Sequence, residues 1–160
     1  MKSIIVFGGS GLIGTEIKKI FLENSYKVIS FDIKQDHYTH PNLVFIKYDL
    51  ARISSVGELH ELVEEHMKDC FALINCALLP YPEFNIETFK KVDLTNACSS
   101  LLALDFFICS LAVNYSNKKS INEFLSVILT SSVKAIYPPK FRHYKNISKM
   151  GSSPFYGSMK

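Results

Sequence analysis

The chain has 160 residues, enough for one domain with a single hydrophobic core. Apolar residues make up 48% of the sequence and charged residues 21%, which is typical of soluble globular proteins and excludes a disordered chain. The net charge of +3 is small and scattered, and no basic stripe is interleaved with aromatic residues. We therefore expect no nucleic-acid partner.

Cysteines and histidines lack the spacing of metal ligands, so we expect no metal site. The cysteines stand in apolar runs without a CxxC pair, which predicts buried thiols in a reducing compartment: Cys70, Cys76, Cys98 and Cys109. The apolar run at 4–7 is too short for a signal peptide. The longest apolar stretch, 101–113, is shorter than the roughly 20 residues of a membrane span. These features predict a cytoplasmic protein with no membrane partner.

Strand and helix patterns alternate along the chain. Helical periodicity predicts a helix over 12–23, with its apolar stripe at positions 12, 13, 17, 20 and 21, and a long helical region with a break over 86–115. A capping-box pattern at Ser55 and Glu58 predicts a helix that ends near Met67. Short apolar runs predict five strands, at 4–7, 27–31, 43–48, 71–75 and 125–130. The fifth run is continuously apolar, which predicts a strand covered on both faces.

Strands that alternate with helices predict a doubly wound α/β domain with a parallel sheet. We expect the strand order 3-2-1-4-5 and one domain over residues 1–160. Such sheets bind ligands beyond the carboxyl ends of their strands. The polar or small residues that follow each predicted strand should therefore meet in one crevice: the glycine turn at 8–14, Asp32, Asp49, Asn75, Ser131 and Ser132.

The turn after the first strand carries the chemistry of a dinucleotide site. A GxxGxxG spacing is a weak signal alone, but here it directly follows a predicted strand and opens a predicted helix. Gly8 permits a tight turn, Gly11 lets the backbone approach a pyrophosphate, and Gly14 lets helix and strand pack closely. The helix N-terminus offers unpaired N–H groups to the phosphates. The predicted contacts from this turn are Gly8, Ser10, Gly11, Leu12, Ile13 and Gly14.

Three later segments complete the predicted cofactor site. Asp32 lies 18 positions after Gly14, where its carboxylate can accept both adenosine ribose hydroxyls and repel a 2′-phosphate. This favours NAD over NADP, although Lys34 nearby could pair with such a phosphate. Asp49 and Leu50 could hold the adenine edge, and an aspartate that caps the next segment is equally compatible with the sequence. The small residues of Asn75-Cys76-Ala77 allow a cofactor close to the backbone.

Near the end of the sequence, Tyr156 and Lys160 lie four positions apart, so on a helix they share one face. A nearby ammonium favours the phenolate and lowers the tyrosine pKa toward that of a general base. Ser132, after the fifth predicted strand, could hydrogen-bond a substrate hydroxyl or carbonyl. A tyrosine and a lysine at this spacing are more often a solvent-exposed pair on a helix than a catalytic pair. The catalytic interpretation therefore depends on the cofactor motifs earlier in the chain.

Taken in order along the chain, these motifs resemble those of the short-chain dehydrogenases/reductases, which have a Rossmann fold. The resemblance implies hydride transfer between a nicotinamide and a carbinol carbon. It implies that Ser132 orients the substrate, that Tyr156 is the acid/base, and that Lys160 binds the nicotinamide ribose. The segment between Ser132 and Tyr156 resembles the branch from bacterial surface-glycan and flagellin-glycosylation loci, which suggests a sugar or nucleotide-sugar substrate. Members of the family often form homo-oligomers.

The sequence also departs from the family pattern. Phe7 replaces a threonine before the glycines, and Leu78 replaces a small residue. Asp93 stands where the family has its catalytic asparagine, and Asn96 lies three residues further on. The resemblance also implies two further strands and a substrate loop that these 160 residues lack. An oxidoreductase, a catalytically inert dinucleotide-binding module and a remnant without biochemical role all stay open at this point.

Overall fold

A computed structural model describes residues 1–77, 94–116 and 125–130 of the chain. Within these ranges the elements follow in the order β1 (Ser3–Phe7), α1 (Leu12–Glu23), β2 (Lys27–Asp32), β3 (Leu43–Lys47), α2 (Val56–Val63), β4 (Cys70–Asn75), α3 (Leu94–Ser116) and β5 (Ser126–Leu129). The bounds of the predicted strands are correct to within one residue at each end. The start of the predicted long helical region, 86–93, lies outside the described residues.

The five strands form one parallel sheet in the order β3-β2-β1-β4-β5, which confirms the predicted topology. Main-chain hydrogen bonds continue past the strands at their carboxyl ends. Gly8 N–H donates to the carbonyl of Phe31 (2.8 Å), and Cys76 N–H donates to the carbonyl of Phe7 (2.8 Å). Thr130 N–H likewise donates to the carbonyl of Asn75 at 3.0 Å. The residues that directly follow β1, β4 and β5 are therefore each hydrogen-bonded to the neighbouring strand.

Alternate residues of each strand point to opposite faces, so the central strands supply two cores. Ile5, Phe7 and Phe31 lie on the face covered by α2 and α3, and Phe7 stacks on Phe31 with ring centroids 5.6 Å apart. Ile4 and Val6 lie on the opposite face, which α1 covers. The stacked pair gives the departure at Phe7 a structural role, because a threonine there would remove the ring on which Phe31 stacks.

The apolar stripe predicted for α1 is wrong in part. Gly14, Lys18 and Leu22 are the residues buried on this helix, whereas Leu12, Ile13 and Ile20 are exposed. Gly14 contacts the turn before the helix, as described below, and this contact sets the rotation of α1. Positions four and eight residues later then face the sheet as well. Hydrophobicity alone could not reveal this, because the inward position at 18 is a lysine.

Three further expectations need correction. β5 is not covered on both faces by described residues: it is the edge strand of the described sheet, and Ile128 is 48% exposed. Cys109 is exposed rather than buried, because it lies on the face of α3 that points away from the sheet. At α2, Ser55 accepts from Glu58 N–H as predicted, but the Glu58 carboxylate accepts from Ser54 rather than from Ser55 N–H. The α-helix ends at Val63, and a 3-10 turn over Glu64–His66 continues from it to Met67, the predicted end.

Within residues 1–77, 94–116 and 125–130, no helix combines the length and the apolar character that crossing a bilayer requires.

Candidate cofactor site

The turn between β1 and α1 contains a position that only glycine can occupy. Gly8 has a φ of +77°, the left-handed region that L side chains rarely adopt. A Cβ on Gly8 would lie 2.5 Å from Cα of Ala77, the second residue after β4. The turn is therefore pressed against the end of the neighbouring strand, and both its conformation and its surroundings exclude a side chain.

Gly9 and Gly14 keep the turn and the helix close together. A Cβ on Gly14 would overlap the carbonyl oxygen of Gly8 and lie 2.7 Å from Cα of Gly9. The sequence predicted that Gly14 allows helix and strand to pack closely, but its nearest neighbours belong to the turn itself. A Cβ on Gly9 would overlap the Ser30 hydroxyl, which is buried on β2. The β1–α1 turn thus has no room for side chains on its inner surface.

The N-terminus of α1 is open toward the crevice. Its N-cap residue, Gly11, has no side chain. Among the described residues, no side chain forms a capping hydrogen bond with the first turn of this helix. That turn also carries no acidic residue. A Cβ on Gly11 would meet only the carbonyl oxygen of Gly8, at 3.4 Å. The N–H groups and positive end of the helix dipole therefore face space that an anion can enter.

Asp32 ends β2 beside this turn, and its carboxylate is held by two main-chain donors. Ser10 N–H donates to Oδ2 (2.9 Å) and Lys34 N–H donates to Oδ1 (2.9 Å). The Ser10 hydroxyl donates in turn to the carbonyl of Lys34 at 3.1 Å. Each carboxylate oxygen has a second lone pair, so the group can still accept from a ligand hydroxyl. The contact with Ser10 was not predicted.

Exposed apolar side chains lie at the start of α1 and directly after β2. Leu12 is 86% exposed at the start of α1, and Ile13 follows it. Ile33, the residue after Asp32, is also exposed and was missed by the sequence reasoning. Its only sequence signal is an apolar residue between Asp32 and Lys34, outside the strand. These three side chains, the apolar rim, offer contact surface for a flat aromatic group.

The structure shows the capping alternative for Asp49. Its side chain accepts from Ala51 N–H at 3.2 Å and caps a 3-10 turn over Leu50–Arg52. Arg52 also lies within 3.5 Å of the carboxylate. Leu50 is half-buried and packs against the core shared by α2 and α3.

Asn75 is buried at the end of β4 and fixes the segment that follows. Its Oδ1 accepts from Ala77 N–H (3.0 Å), and its amide donates to the carboxylate of Asp105 on α3 (2.6 Å). Asp105 was missed by the sequence reasoning, where it counted only as an interruption of an apolar run. The Asn75–Asp105 hydrogen bond ties α3 to the strand end that presses on Gly8.

The predicted catalytic residues Ser132, Tyr156 and Lys160 lie outside the described residues, as do Leu78 and Asp93. Asn96 lies in the first turn of α3. Among the described residues, no group of three or more His, Cys, Asp or Glu side chains is arranged to hold a metal ion.

Many solved structures share this architecture, and several of them contain a nicotinamide cofactor. A short chain dehydrogenase from Leptospira borgpetersenii with bound NAD+ has 21% sequence identity and a TM-score of 0.65, over 92% of this chain. An NAD complex of dTDP-glucose 4,6-dehydratase from Bacillus anthracis has 18% identity and a TM-score of 0.61, over 100% of this chain. The chain has a Rossmann fold. An aldohexose dehydrogenase from Thermoplasma acidophilum has 22% identity and a TM-score of 0.64, over 84% of this chain.

The chain spans only part of these proteins: 58%, 47% and 50% of their respective lengths. No protein-family model matches the sequence, and no curated protein matches it. The likeness to the solved structures therefore establishes the Rossmann fold.

Proposed function

We propose that the chain binds NAD at the carboxyl edge of its sheet, with the pyrophosphate at the N-terminus of α1. The observation that carries this proposal is the uncapped start of α1 next to a turn from which Gly8, Gly9 and Gly14 exclude side chains. Unpaired N–H groups and the helix dipole stabilise phosphate oxygens at such a terminus. Two proteins with the same fold, the Leptospira dehydrogenase and the Bacillus dehydratase, bind NAD.

The adenosine lies over β2 in this proposal. Asp32 accepts from the ribose hydroxyls through its remaining lone pairs, and its negative charge disfavours a 2′-phosphate. The side chain of Lys34 is the nearby cation that could offset this repulsion in part, and its main-chain N–H already binds Asp32. The apolar rim contacts the adenine, and Leu50, Asn75 and Ala77 lie at the same edge of the sheet, at or just after the carboxyl ends of β3 and β4. We therefore expect NAD to bind more tightly than NADP.

The reaction is hydride transfer between the nicotinamide and a hydroxyl or carbonyl substrate, of the short-chain dehydrogenase/reductase type. Tyr156 is the acid/base, Lys160 lowers the pKa of its phenol, and Ser132 orients the substrate. This assignment rests on the sequence motifs and on the fold that the chain shares with a short chain dehydrogenase. NAD supplies the hydride acceptor, and the chain supplies the orientation and the proton transfer.

The proposed substrate is a sugar or a nucleotide sugar. The sequence between Ser132 and Tyr156 resembles that of enzymes from surface-glycan loci. Among the proteins that share the fold, the Bacillus enzyme is named for dTDP-glucose and the Thermoplasma enzyme for aldohexose. A polyhydroxylated substrate also suits a site that acts on a carbinol carbon.

We also propose that the protein forms a homodimer through α3. The face of this helix that points away from the sheet carries an exposed stripe at positions 102, 106, 109 and 113: Leu102, Phe106, Cys109 and Val113. This spacing places the four side chains in one row along the helix. The row has no charged residue, so it is complementary to a second copy of itself across a two-fold axis.

Calorimetric titration of the complete protein with NAD tests the binding proposal. We expect saturable binding at one site per chain and weaker binding of NADP. Absence of saturable NAD binding overturns the proposal. The protein is then assayed with NAD against a panel of sugars and nucleoside-diphosphate sugars. Binding without turnover on any of them favours a dinucleotide-binding module over an oxidoreductase.

A further inference from the structure

A lysine lies in the core beneath the proposed cofactor site. The side chain of Lys18, on the inward face of α1, is 0% exposed. Its aliphatic part runs below the glycine turn, since a Cβ on Gly9 would lie 3.3 Å from Cδ of Lys18. A buried ammonium is strongly disfavoured unless an opposite charge and hydrogen bonds compensate for the lost water.

The compensating charge comes from the segment that follows β2. Oδ2 of Asp36 forms an ion pair with Nζ of Lys18, and the Asp36 side chain is only 5% exposed. The other carboxylate oxygen accepts from Tyr38 N–H at 3.0 Å. The ion pair therefore joins the middle of α1 to a segment without helix or strand structure, and both charged groups are almost completely removed from solvent.

Two hydrogen bonds also hold this segment against the glycine turn, one from Ser10 N–H to Asp32 and one from the Ser10 hydroxyl to the carbonyl of Lys34. Residues 32–36 are thus attached to the glycine turn at one end and to α1 at the other. This segment carries Asp32, Ile33 and Lys34, the residues proposed to face the adenosine. Its position relative to the helix N-terminus sets the distance between the ribose and pyrophosphate subsites.

Stability alone does not account for a buried pair at this place. Replacing a buried ion pair by apolar residues of similar volume is often neutral or stabilising, because the charges no longer lose their hydration. An ion pair differs from an apolar contact because it is stable only when the carboxylate lies directly beside the ammonium. It therefore fixes the relative position of the two segments that carry these groups. The neighbouring pair Lys19–Glu16 on the same helix is solvent-exposed and joins only residues of α1.

We propose that Lys18 and Asp36 are positioning residues for the adenosine end of the cofactor site. Their ion pair fixes residues 32–36 against α1 and so sets the geometry in which Asp32 meets the ribose. This inference rests on the proposed NAD binding. Neither side chain touches the ligand; both act through Asp32 and the backbone that follows it. Their removal weakens NAD binding and narrows the preference for NAD over NADP.

The test compares NAD affinity with thermal stability in the complete protein. In Lys18→Met/Asp36→Leu the pair is replaced by apolar side chains, so we expect a Tm equal to or above that of the wild type. The Kd for NAD should nevertheless rise about tenfold, and the ratio of NADP to NAD affinities should rise with it. A purely structural role predicts that Kd and Tm change together. The control Glu16→Gln/Lys19→Met should leave both unchanged.

Asp36→Asn provides the second variant, in case the double variant does not fold. It keeps an oxygen that can accept from Tyr38 N–H, but it removes the negative charge and turns an amide NH2 group toward the ammonium of Lys18. At a temperature well below the Tm of this variant, we expect it to bind NAD more weakly than the wild type does. An unchanged Kd in either folded variant overturns the positioning role while leaving NAD binding intact. If the wild-type protein itself does not bind NAD, the proposed function and this inference both fail.

Discussion

The main-chain N–H of Ser10 donates to Oδ2 of Asp32 across 2.9 Å, which joins the glycine turn to the end of β2. Oδ1 of the same carboxylate accepts from Lys34 N–H. Two main-chain donors therefore orient the carboxylate before a ligand enters. A group whose orientation is already fixed loses little conformational entropy on binding, so the arrangement favours affinity for a ribose that donates to the remaining lone pairs.

Replacing Asp32 by asparagine should weaken NAD binding. The side chain of Asp32→Asn keeps its size but loses its charge and one of its two acceptor oxygens, so either Ser10 N–H or Lys34 N–H loses its partner. We expect the Kd for NAD to rise about tenfold, or about 1.4 kcal/mol, because charge-assisted hydrogen bonds become neutral ones. NADP affinity should fall less. The exposed Asp69→Asn is the control, and equal losses of NAD and NADP affinity would contradict the ribose role.

Gly11→Ala separates folding from phosphate binding. The φ of Gly11 is −74°, which alanine adopts freely, and the new methyl group would meet only the carbonyl oxygen of Gly8. The variant should therefore fold with a Tm near that of the wild type. Its methyl group would occupy the space of the pyrophosphate, so the Kd for NAD should rise by about tenfold or more.

The matched control for this change is Gly57→Ala in α2, where a Cβ would meet only the Ser55 hydroxyl at 3.7 Å. Alanine there should raise the free energy of unfolding by up to about 1 kcal/mol, because it favours helix. NAD affinity should not change. If Gly11→Ala binds NAD as tightly as Gly57→Ala does, the pyrophosphate does not lie at the start of α1.

The sequence predicts those parts of the fold that depend on local patterns. Strand bounds, the start and end of α1 and the strand order follow from runs of apolar residues, from the glycine spacing and from the right-handed crossover rule. Ser55 as the N-cap of α2 follows from its own side-chain chemistry. The glycine turn could be placed for the same reason, since a strand, a turn and a helix are consecutive in the sequence.

The partners within the site could not be predicted, because they join residues distant in sequence. Ser10 and Asp32 are 22 positions apart, and Asn75 and Asp105 are 30 apart. Local sequence patterns do not determine which residues so far apart in the sequence come into contact. The rotation of α1 was missed for a related reason: the contact of Gly14 with the turn outweighs the hydrophobic pattern and places Lys18 inside. The burial of a charged side chain can be explained only when the opposite charge that pairs with it is known.

Tyr156→Phe should separate turnover from cofactor binding in the complete protein. Phenylalanine keeps the ring but cannot exchange a proton with the substrate, and general acid–base catalysis contributes about a hundredfold or more to the rate. We expect turnover to fall by at least that factor while the Kd for NAD stays within the range of the wild type. Steady-state kinetics and calorimetry measure the two quantities. Retained turnover would exclude Tyr156 as the acid/base.

Stability should decrease as the pH falls below neutrality because of His66. Burial lowers the pKa of His66 below its ordinary value of 6.5, and Lys27 lowers it further, while Glu65 opposes the shift. The ring lies edge-on to Phe31, with centroids 6.4 Å apart. A depressed folded-state pKa means that the unfolded chain binds the proton more readily, so the contribution of His66 is present above pH 6.5 and is lost as the pH falls through the folded-state pKa.

Urea denaturation between pH 5 and 8 measures this dependence, a range over which an ordinary histidine titrates. In His66→Gln the decrease in the free energy of unfolding toward acid should become shallower, because the residue no longer titrates. His37→Gln changes an exposed histidine, so the free energy of unfolding of this variant should depend on pH as it does in the wild type. A slope unchanged in His66→Gln would show that other groups govern the acid sensitivity.

Phe106→Glu tests the proposed dimer. Phe106 is 65% exposed near the middle of the stripe on α3, so a glutamate there should fold without disturbing the core. In a two-fold dimer the substitution places two carboxylates in one apolar contact, where their charges repel and lose hydration. Analytical ultracentrifugation should then detect a monomer in place of the wild-type dimer. Ile20→Glu introduces the same charge at an exposed apolar position of α1 and should leave the dimer intact, because α1 covers the opposite face of the sheet from α3. If both variants sediment like the wild type, the stripe on α3 is not the dimer contact.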